Sequence, residues 1–546
     1  MKATKFLSIL LTIILSLSIV ACDVGENMNI IEEDMDIVEE DLDEITQIYE
    51  PDDGGTLKLA VTRFSTLNPL YNKNYTLFQI HHLIYEGLVT FDENMEIKPL
   101  LATDWRKSED GQSIQFTLRN DVKWHDDTPL TAEDIIFTIN LIKDNTYGTS
   151  VFQDSLKYIS DVRIVENNII NITFSQPYSN ALEIMTFPIL PKHVFQGENM
   201  NKLQSSNFPL IGTGPFKLEK YDNMRNIKLS RNDNYWGKVP YISDIDIMIV
   251  PDAKTQLSVF EIGDIDLAQP TAIDWAKYTE KKNVNVYEYI SHNYEFLGFN
   301  FKRPLLNDKN IRKAIAYGID RHKLINNIYL GHATTVDVPI HPLESIYDVS
   351  QLTYGHNIDK AIELLNNSGY TLNNEQKLML NENLQPLKFS LLINDDNLLR
   401  EKVAFFIKEE LENIGIEIEI EMVEWEEYNN RINTGNFDIV LGGWNLSYVT
   451  DLSFAFHSSN IEGSNFISYN NEKMDDLLHR AINAPNDITK ESVYSQLQKH
   501  IVEELPYMSL FFKNASIVVR DKVKGEFKPS NYNLFYGIED WFINTK

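Results

Sequence analysis

Residues 387–441 place the tightest constraint on what this chain can fold into. Residues 387–393 are a short apolar run, after which Leu399, Val403, Phe406, Ile407, Leu411 and Ile414 recur at the spacing of one helix face. Gly415 stops that helix. Ile416, Ile418, Ile420 and Met422 then alternate with Glu417, Glu419 and Glu421, the pattern of a half-buried strand, and residues 437–441 supply another. Strand, helix and strand at these lengths form a βαβ unit with a parallel pair. A single helix is expected over 308–330, with Ile311, Ala314, Ile315 and Ile319 on one face and Gly331 at its end. Near the start, residues 57–62 read as a strand, followed by a loop through Leu67, Asn68 and Pro69. A helix that includes Ile80, Leu83, Ile84 and Leu88 comes next. The fold class is therefore α/β.

In open α/β sheets ligands sit outside the carboxyl ends of strands. Two loops qualify, 63–76 after the first strand and 442–448 after a strand ending at Leu441. The second combines Gly442 and Gly443 with Trp444 and Tyr448. An indole offers a flat apolar wall and one N–H donor, which suits a ligand with apolar and amide character. The residues alone support that reading and a plain core role for Trp444 equally.

The amino terminus carries export features. Lys2 and Lys5 precede an uncharged run over 6–21, too short for a spanning helix of about 20 residues but right for a signal-peptide core. The run closes on Ile19, Val20, Ala21 and Cys22, which resembles the bacterial lipobox. That resemblance implies a signal peptide over 1–21, cleavage before Cys22 and a lipid on its thiol. Cys22 is the only cysteine among 546 residues, so disulfides within the chain and cysteine-built metal sites are excluded. The net charge of −31 disfavours nucleic acid. From residue 23 to residue 53 there are fourteen acidic residues and no Lys or Arg, which reads as an acidic tether over 22–55. Ile31, Met35, Val38, Leu42 and Ile45 fall on one helical face, so a solvated tether and an acidic amphipathic helix both remain open.

No catalytic constellation is present. Gly212 to Lys217 has the wrong spacing for a phosphate-binding loop, and neither a zinc-protease helix nor a nucleophile elbow occurs. His81 and His82 are helix neighbours about 100° apart, poor joint metal ligands, and read as surface or interface residues. Asp264 and Asp266 lack the spacing of a calcium loop. The chain is expected to be no enzyme and to hold no cofactor or metal.

Several stretches, in order, resemble the bacterial extracellular solute-binding proteins of family 5, the peptide- and nickel-binding group serving ABC importers. They include Thr66 to Leu70, Ile84-Tyr85-Glu86-Gly87-Leu88, Lys98 to Ala102 with Trp105, and Leu118 to His125 leading to Pro129 to Asp134. Gly212-Thr213-Gly214-Pro215-Phe216, Arg231-Asn232 with Tyr235-Trp236, Gly263 to Asp266, Phe299-Asn300 and Ile311 to Ala314 follow. Ile319 to Arg321 and Gly442-Gly443-Trp444 complete the series.

The resemblance implies a periplasmic-binding-protein-like fold (type II, cluster C) of three lobes, with ligand held between lobes I and III. Lobe I would comprise 56–93, 211–290 and 516–546, lobe II 94–210, and lobe III 291–515. It implies a monomeric lipoprotein outside the cell membrane that captures oligopeptides for a permease and ATPase acting in trans. Nickel chelates, oligosaccharides, other solutes and ligand sensing are the alternatives. The implied ligand residues are Asn74, Tyr75, Trp444, Ser447 and Asp451. Ser447 stands where peptide-binding members commonly carry the aspartate that meets the peptide amino terminus. Asp451, followed by His457-Ser458-Ser459 as in Gram-positive-type members, would stand in as the anion.

Overall fold

The computed structural model describes residues 50–546 apart from 206, 271–274, 352, 545 and 546. Cys22, the signal peptide and nearly all of the acidic tether lie outside the described residues. The expected βαβ unit is built from strand Lys388–Asn394, helix Leu398–Asn413 and strand Glu417–Val423, the two strands parallel with Lys388 opposite Glu417. Asn397 caps the helix by accepting from the Arg400 N–H. Val403, Ile407 and Leu411 are buried against Leu391, Ile393 and Ile418. Gly415 ends the helix at φ +84°, a backbone conformation that a side chain would strain. Strand Ile439–Asn445 adds in parallel on the other side of Lys388–Asn394.

That unit is one end of a seven-stranded sheet, whose centre is formed by two long antiparallel strands, Val284–Phe299 and Tyr507–Arg520. Each long strand serves two cores. Tyr289, Ile517 and Val519 belong to one; Tyr294, Phe296, Tyr507 and Phe511 belong to the other. The ladder between the strands breaks register between Ile290 and Tyr294 and again between Glu295 and Phe296. A four-stranded sheet pairs Thr56–Thr62 in parallel with Asp244–Val250, then adds Asn226–Arg231 and Phe216–Asp222. A second four-stranded sheet runs Ala102–Lys107, Ser113–Leu118, Ile169–Phe174 and Ile159–Glu166, and its Ile114, Phe116, Ile170 and Ile172 join the same core as Leu57 and Leu59.

Two helices differ from expectation. The first is only Tyr75–His81, because the next carbonyls are taken by another segment: Phe216 N donates to Leu83 O at 3.0 Å and Gly214 N to Ile84 O at 2.9 Å. The expected helix over 308–330 is two, Lys309–Gly318 and Arg321–Ile328, because Asp320 caps the second by accepting from the Lys323 N–H. Likewise His81 is buried rather than on the surface, its Nε2 bonded to Leu67 O at 3.1 Å.

Two of the motifs in the first half act as structural clamps. Gly212 and Gly214 lie against the backbone of Leu83 and Ile84. Glu86, buried, accepts from the Tyr235 hydroxyl at 2.8 Å and from Trp236 Nε1 at 2.9 Å. Burial pushes the Glu86 carboxyl up to about 7, against the pull of those donors. A carboxyl raised on folding holds its proton more tightly in the folded state, so its contribution to stability is greatest at low pH. It fades as pH climbs from about 4.5 towards 7. Urea melts of wild type and Glu86→Gln across pH 4–8 should show wild type losing ground to the variant over that window; parallel pH profiles would refute the assignment.

Candidate functional site

Two segments converge beside the register break. In the first, Asn74 uses its whole side chain locally. Its Oδ1 accepts from Leu77 N at 2.8 Å, and its Nδ2 donates to Thr62 Oγ1 at 2.8 Å and Arg63 O at 3.0 Å. It therefore shapes the loop and starts the helix that presents Tyr75, which is 37% exposed. The Tyr75 hydroxyl donates to the carbonyl of Asn531 at 3.1 Å, and Gln79 Nε2 donates to the same oxygen at 3.1 Å.

The second segment, 441–448, is not the flexible loop expected from its glycines. Strand Ile439–Asn445 continues through them, with Gly443 opposite Glu295 and Trp444 opposite Tyr294. A Cβ on Gly443 would stand 2.8 Å from Glu295 Oε1 and 3.0 Å from the Arg400 guanidinium, so the glycine makes room for a buried charge cluster. Glu295, 5% exposed, meets Arg400 at 2.9 Å and Lys513 at 2.6 Å. Burial pushes its carboxyl up, but Lys513 and Arg400 outweigh burial and hold it below the ordinary range.

Trp444 packs as part of the core while keeping part of its ring open. It is half-buried, parallel to Phe296 at 6.2 Å and edge-on to Phe454 at 5.2 Å. Its indole N–H and the Tyr507 hydroxyl face each other but do not meet in hydrogen-bond geometry. The aromatic of this segment that reaches the first one is Tyr448. Its hydroxyl donates to Asn531 O at 2.8 Å, and its ring packs on Phe78, Tyr532 and His292. Three side chains, Tyr75, Gln79 and Tyr448, thus share one carbonyl. Asn531 and Tyr532 sit in no recognisable motif, and Tyr448 is marked in the sequence only as the second aromatic of the loop 442–448.

Ser447 is exposed, and its Oγ accepts from Val449 N at 3.1 Å in a local turn. Asp451 accepts from Ser453 N at 2.9 Å. It lies near Tyr178 and Tyr494, whose phenols are pushed up first by burial and then by its charge. Thr450 between them is held firmly: its carbonyl accepts from Asn180 Nδ2 and the Tyr494 hydroxyl, each at 2.9 Å, and its hydroxyl donates to Glu344 at 2.5 Å. The structure therefore brings Tyr75 and Tyr448 together on Asn531, while Asp451 sits with a different set of neighbours.

Residues 96–465 match the family described as bacterial extracellular solute-binding proteins, family 5 Middle. The chain belongs to this family. Its fold is the periplasmic-binding-protein-like α/β fold, and the family binds solutes rather than transforming them. Oligopeptide-binding protein AppA of Bacillus subtilis (strain 168) is 28% identical over 508 residues, 90% of this chain and 92% of that protein. The structure of AppA in complex with a nonapeptide superposes with a TM-score of 0.65 at 26% identity, covering 90% of this chain and 100% of that one. The nickel-binding periplasmic protein of Escherichia coli (strain K12) is 28% identical over 387 residues, 68% of this chain and 72% of that protein. Among the described residues no helix is long and apolar enough to cross a membrane.

Proposed function

We propose that this chain is the oligopeptide receptor of an ABC importer, a monomer held at the outer face of the cell membrane by a lipid on Cys22. The observation that carries the reading is the likeness to an oligopeptide-binding protein over nearly the whole of both chains. Supporting it is the pair of long strands that serve two cores and lose register at residues 290–296. In the proposed arrangement those residues are the hinge between lobe I (56–93, 211–290, 516–546) and lobe III (291–515), with 94–210 as lobe II. Ligand favours the closed state because it touches both lobes at once.

Tyr75, Tyr448 and the open face of Trp444 are the proposed contacts, with Asn74 and Ser447 shaping their loops. Asp451 is the proposed anion for a peptide amino terminus. The permease and ATPase that would receive the peptide act in trans.

Calorimetry against peptides, oligosaccharides and nickel chelates tests the ligand class. Micromolar binding of peptides is expected, and silence towards every peptide with binding to a sugar or chelate would overturn it. Trp444→Ala should weaken peptide binding about tenfold, the loss of one aromatic anchor. Because its ring packs on Phe296 and Phe454, it should also cost about 2 kcal/mol of stability, read by urea denaturation. Unchanged affinity at a temperature where the variant is folded would make Trp444 a core residue only.

A further inference from the structure

Next to the shared Asn531 carbonyl lies a cavity of about 450 Å³. One wall is the strand segment 286–290; the others come from Glu93, Met95, His292, His341, Leu343 and residues 527–531. Strand Val284–Phe299 has a neighbour on both sides only from Asn293 onward, where its pairing with Ile439–Asn445 begins. Among the described residues, 284–290 are paired on one side alone, with 514–520. Ile290 O points out of the free edge, since His341 Nε2 is bonded to it at 3.2 Å. In an antiparallel ladder the N–H and C=O of alternate residues share a side, so Val286 and Glu288 present theirs along the same edge.

His292 closes one end of this edge. It is 1% exposed, lies parallel to His341 at 4.4 Å and meets Tyr448 at 4.6 Å, yet neither ring nitrogen has a hydrogen-bond partner among the described residues. Burial, and after it the neighbouring His341, keep the ring neutral. A neutral imidazole carries one donor and one acceptor, the same pair that a peptide unit offers. Buried polar groups without partners are rare and costly. Here the orphan ring, the free strand edge and the cavity coincide.

We propose that this cavity is a second subsite for the captured ligand, in which an extended peptide segment adds as a strand along Val286, Glu288 and the N–H of Ile290, whose carbonyl His341 already holds, while His292 meets one of its amide groups. The proposal rests on the peptide reading above. Strand addition takes its affinity from main-chain bonds and its selectivity from pockets for alternate side chains. Met95, Leu343 and Phe527 offer apolar contacts of that kind. The edge 286–290 accommodates about five residues at roughly 3.3 Å each, so the subsite engages long peptides and leaves short ones untouched.

The test uses a nonapeptide and a tripeptide that both bind in calorimetry. Hydrogen exchange of the amides in 286–290 should slow at least tenfold with the nonapeptide and stay unchanged with the tripeptide. His292→Phe, which keeps the ring stack but removes both nitrogens, should weaken the nonapeptide at least fivefold and leave the tripeptide alone. Protection confined to the segments around Tyr75 and Trp444, or an equal loss for both peptides, would overturn the subsite and leave ordered water as the occupant of the cavity. Failure of every peptide to bind would overturn the peptide reading and this one together.

Discussion

Glu295→Ala should lower the stability of the folded body by about 3–5 kcal/mol, the loss expected when one partner of a buried ion cluster is removed. The carboxylate answers two cations at once, Arg400 at 2.9 Å and Lys513 at 2.6 Å, and the Arg400 side chain is only 11% exposed. Among the described residues no other carboxylate pairs with either cation, and without Glu295 the Arg400 guanidinium retains its bond from Nη1 to Asn394. Urea denaturation at constant slope reads the effect directly. A midpoint shift worth less than about 1 kcal/mol, the range of surface pairs, would mean that water screens the cluster. The same variant tests the glycine argument. With the carboxylate gone, Gly443→Ala should become milder than in the wild-type background, a coupling that a double-mutant cycle measures.

Gly212→Ala should be nearly as damaging, about 3 kcal/mol, at the upper end for an overpacked site. A Cβ there would lie 1.8 Å from the carbonyl oxygen of Ile84, and backbone cannot swing aside as a side chain can. Relief requires parting the segment 212–216 from 83–84 and so loosening the bonds from Gly214 N and Phe216 N. Gly355→Ala, whose added Cβ meets nothing within 4 Å, serves as the control and should change stability by less than about 0.5 kcal/mol. Equal effects from the two substitutions would refute the close-packing account.

The parts of the fold that were legible are those encoded by local periodicity. The apolar spacing of Val403, Ile407 and Leu411 and the alternation of Ile416, Ile418 and Ile420 specify a helix face and a strand face without reference to the rest of the chain. Legibility failed where a distant group intervened. The first helix stops at His81 because Phe216 and Gly214 claim the carbonyls of Leu83 and Ile84. A local cap was missed as well: the helix expected over 308–330 divides because Asp320 accepts from the Lys323 N–H three residues on. Gly442 and Gly443 read as part of a loop, but Gly443 lies in a strand, where a buried carboxylate and guanidinium occupy the space of its missing side chain.

At the candidate site, Tyr75 was pointed to by the family resemblance and Trp444 and Tyr448 by their place after a strand, whereas nothing in the sequence marked Asn531 or His292. Asn531 contributes a main-chain carbonyl, an atom that every residue carries and no sequence pattern marks. His292 matters because its two nitrogens are left without partners at a free strand edge, which depends on where the strand pairing of two remote segments begins and ends.

The sequence by itself determined the α/β class, the family and the absence of disulfides within the chain, because periodicity, ordered motifs and a lone cysteine are properties of the chain before it folds. Only the tertiary structure decided what the motif residues do. Glu86, Tyr235, Trp236, Gly212 and Gly214 clamp backbone segments together, while the meeting point of the two site segments is a carbonyl near the end of the chain. Contacts of that kind join residues up to several hundred positions apart, as Tyr75 and Asn531 are. Their formation depends on packing geometry that no local pattern records.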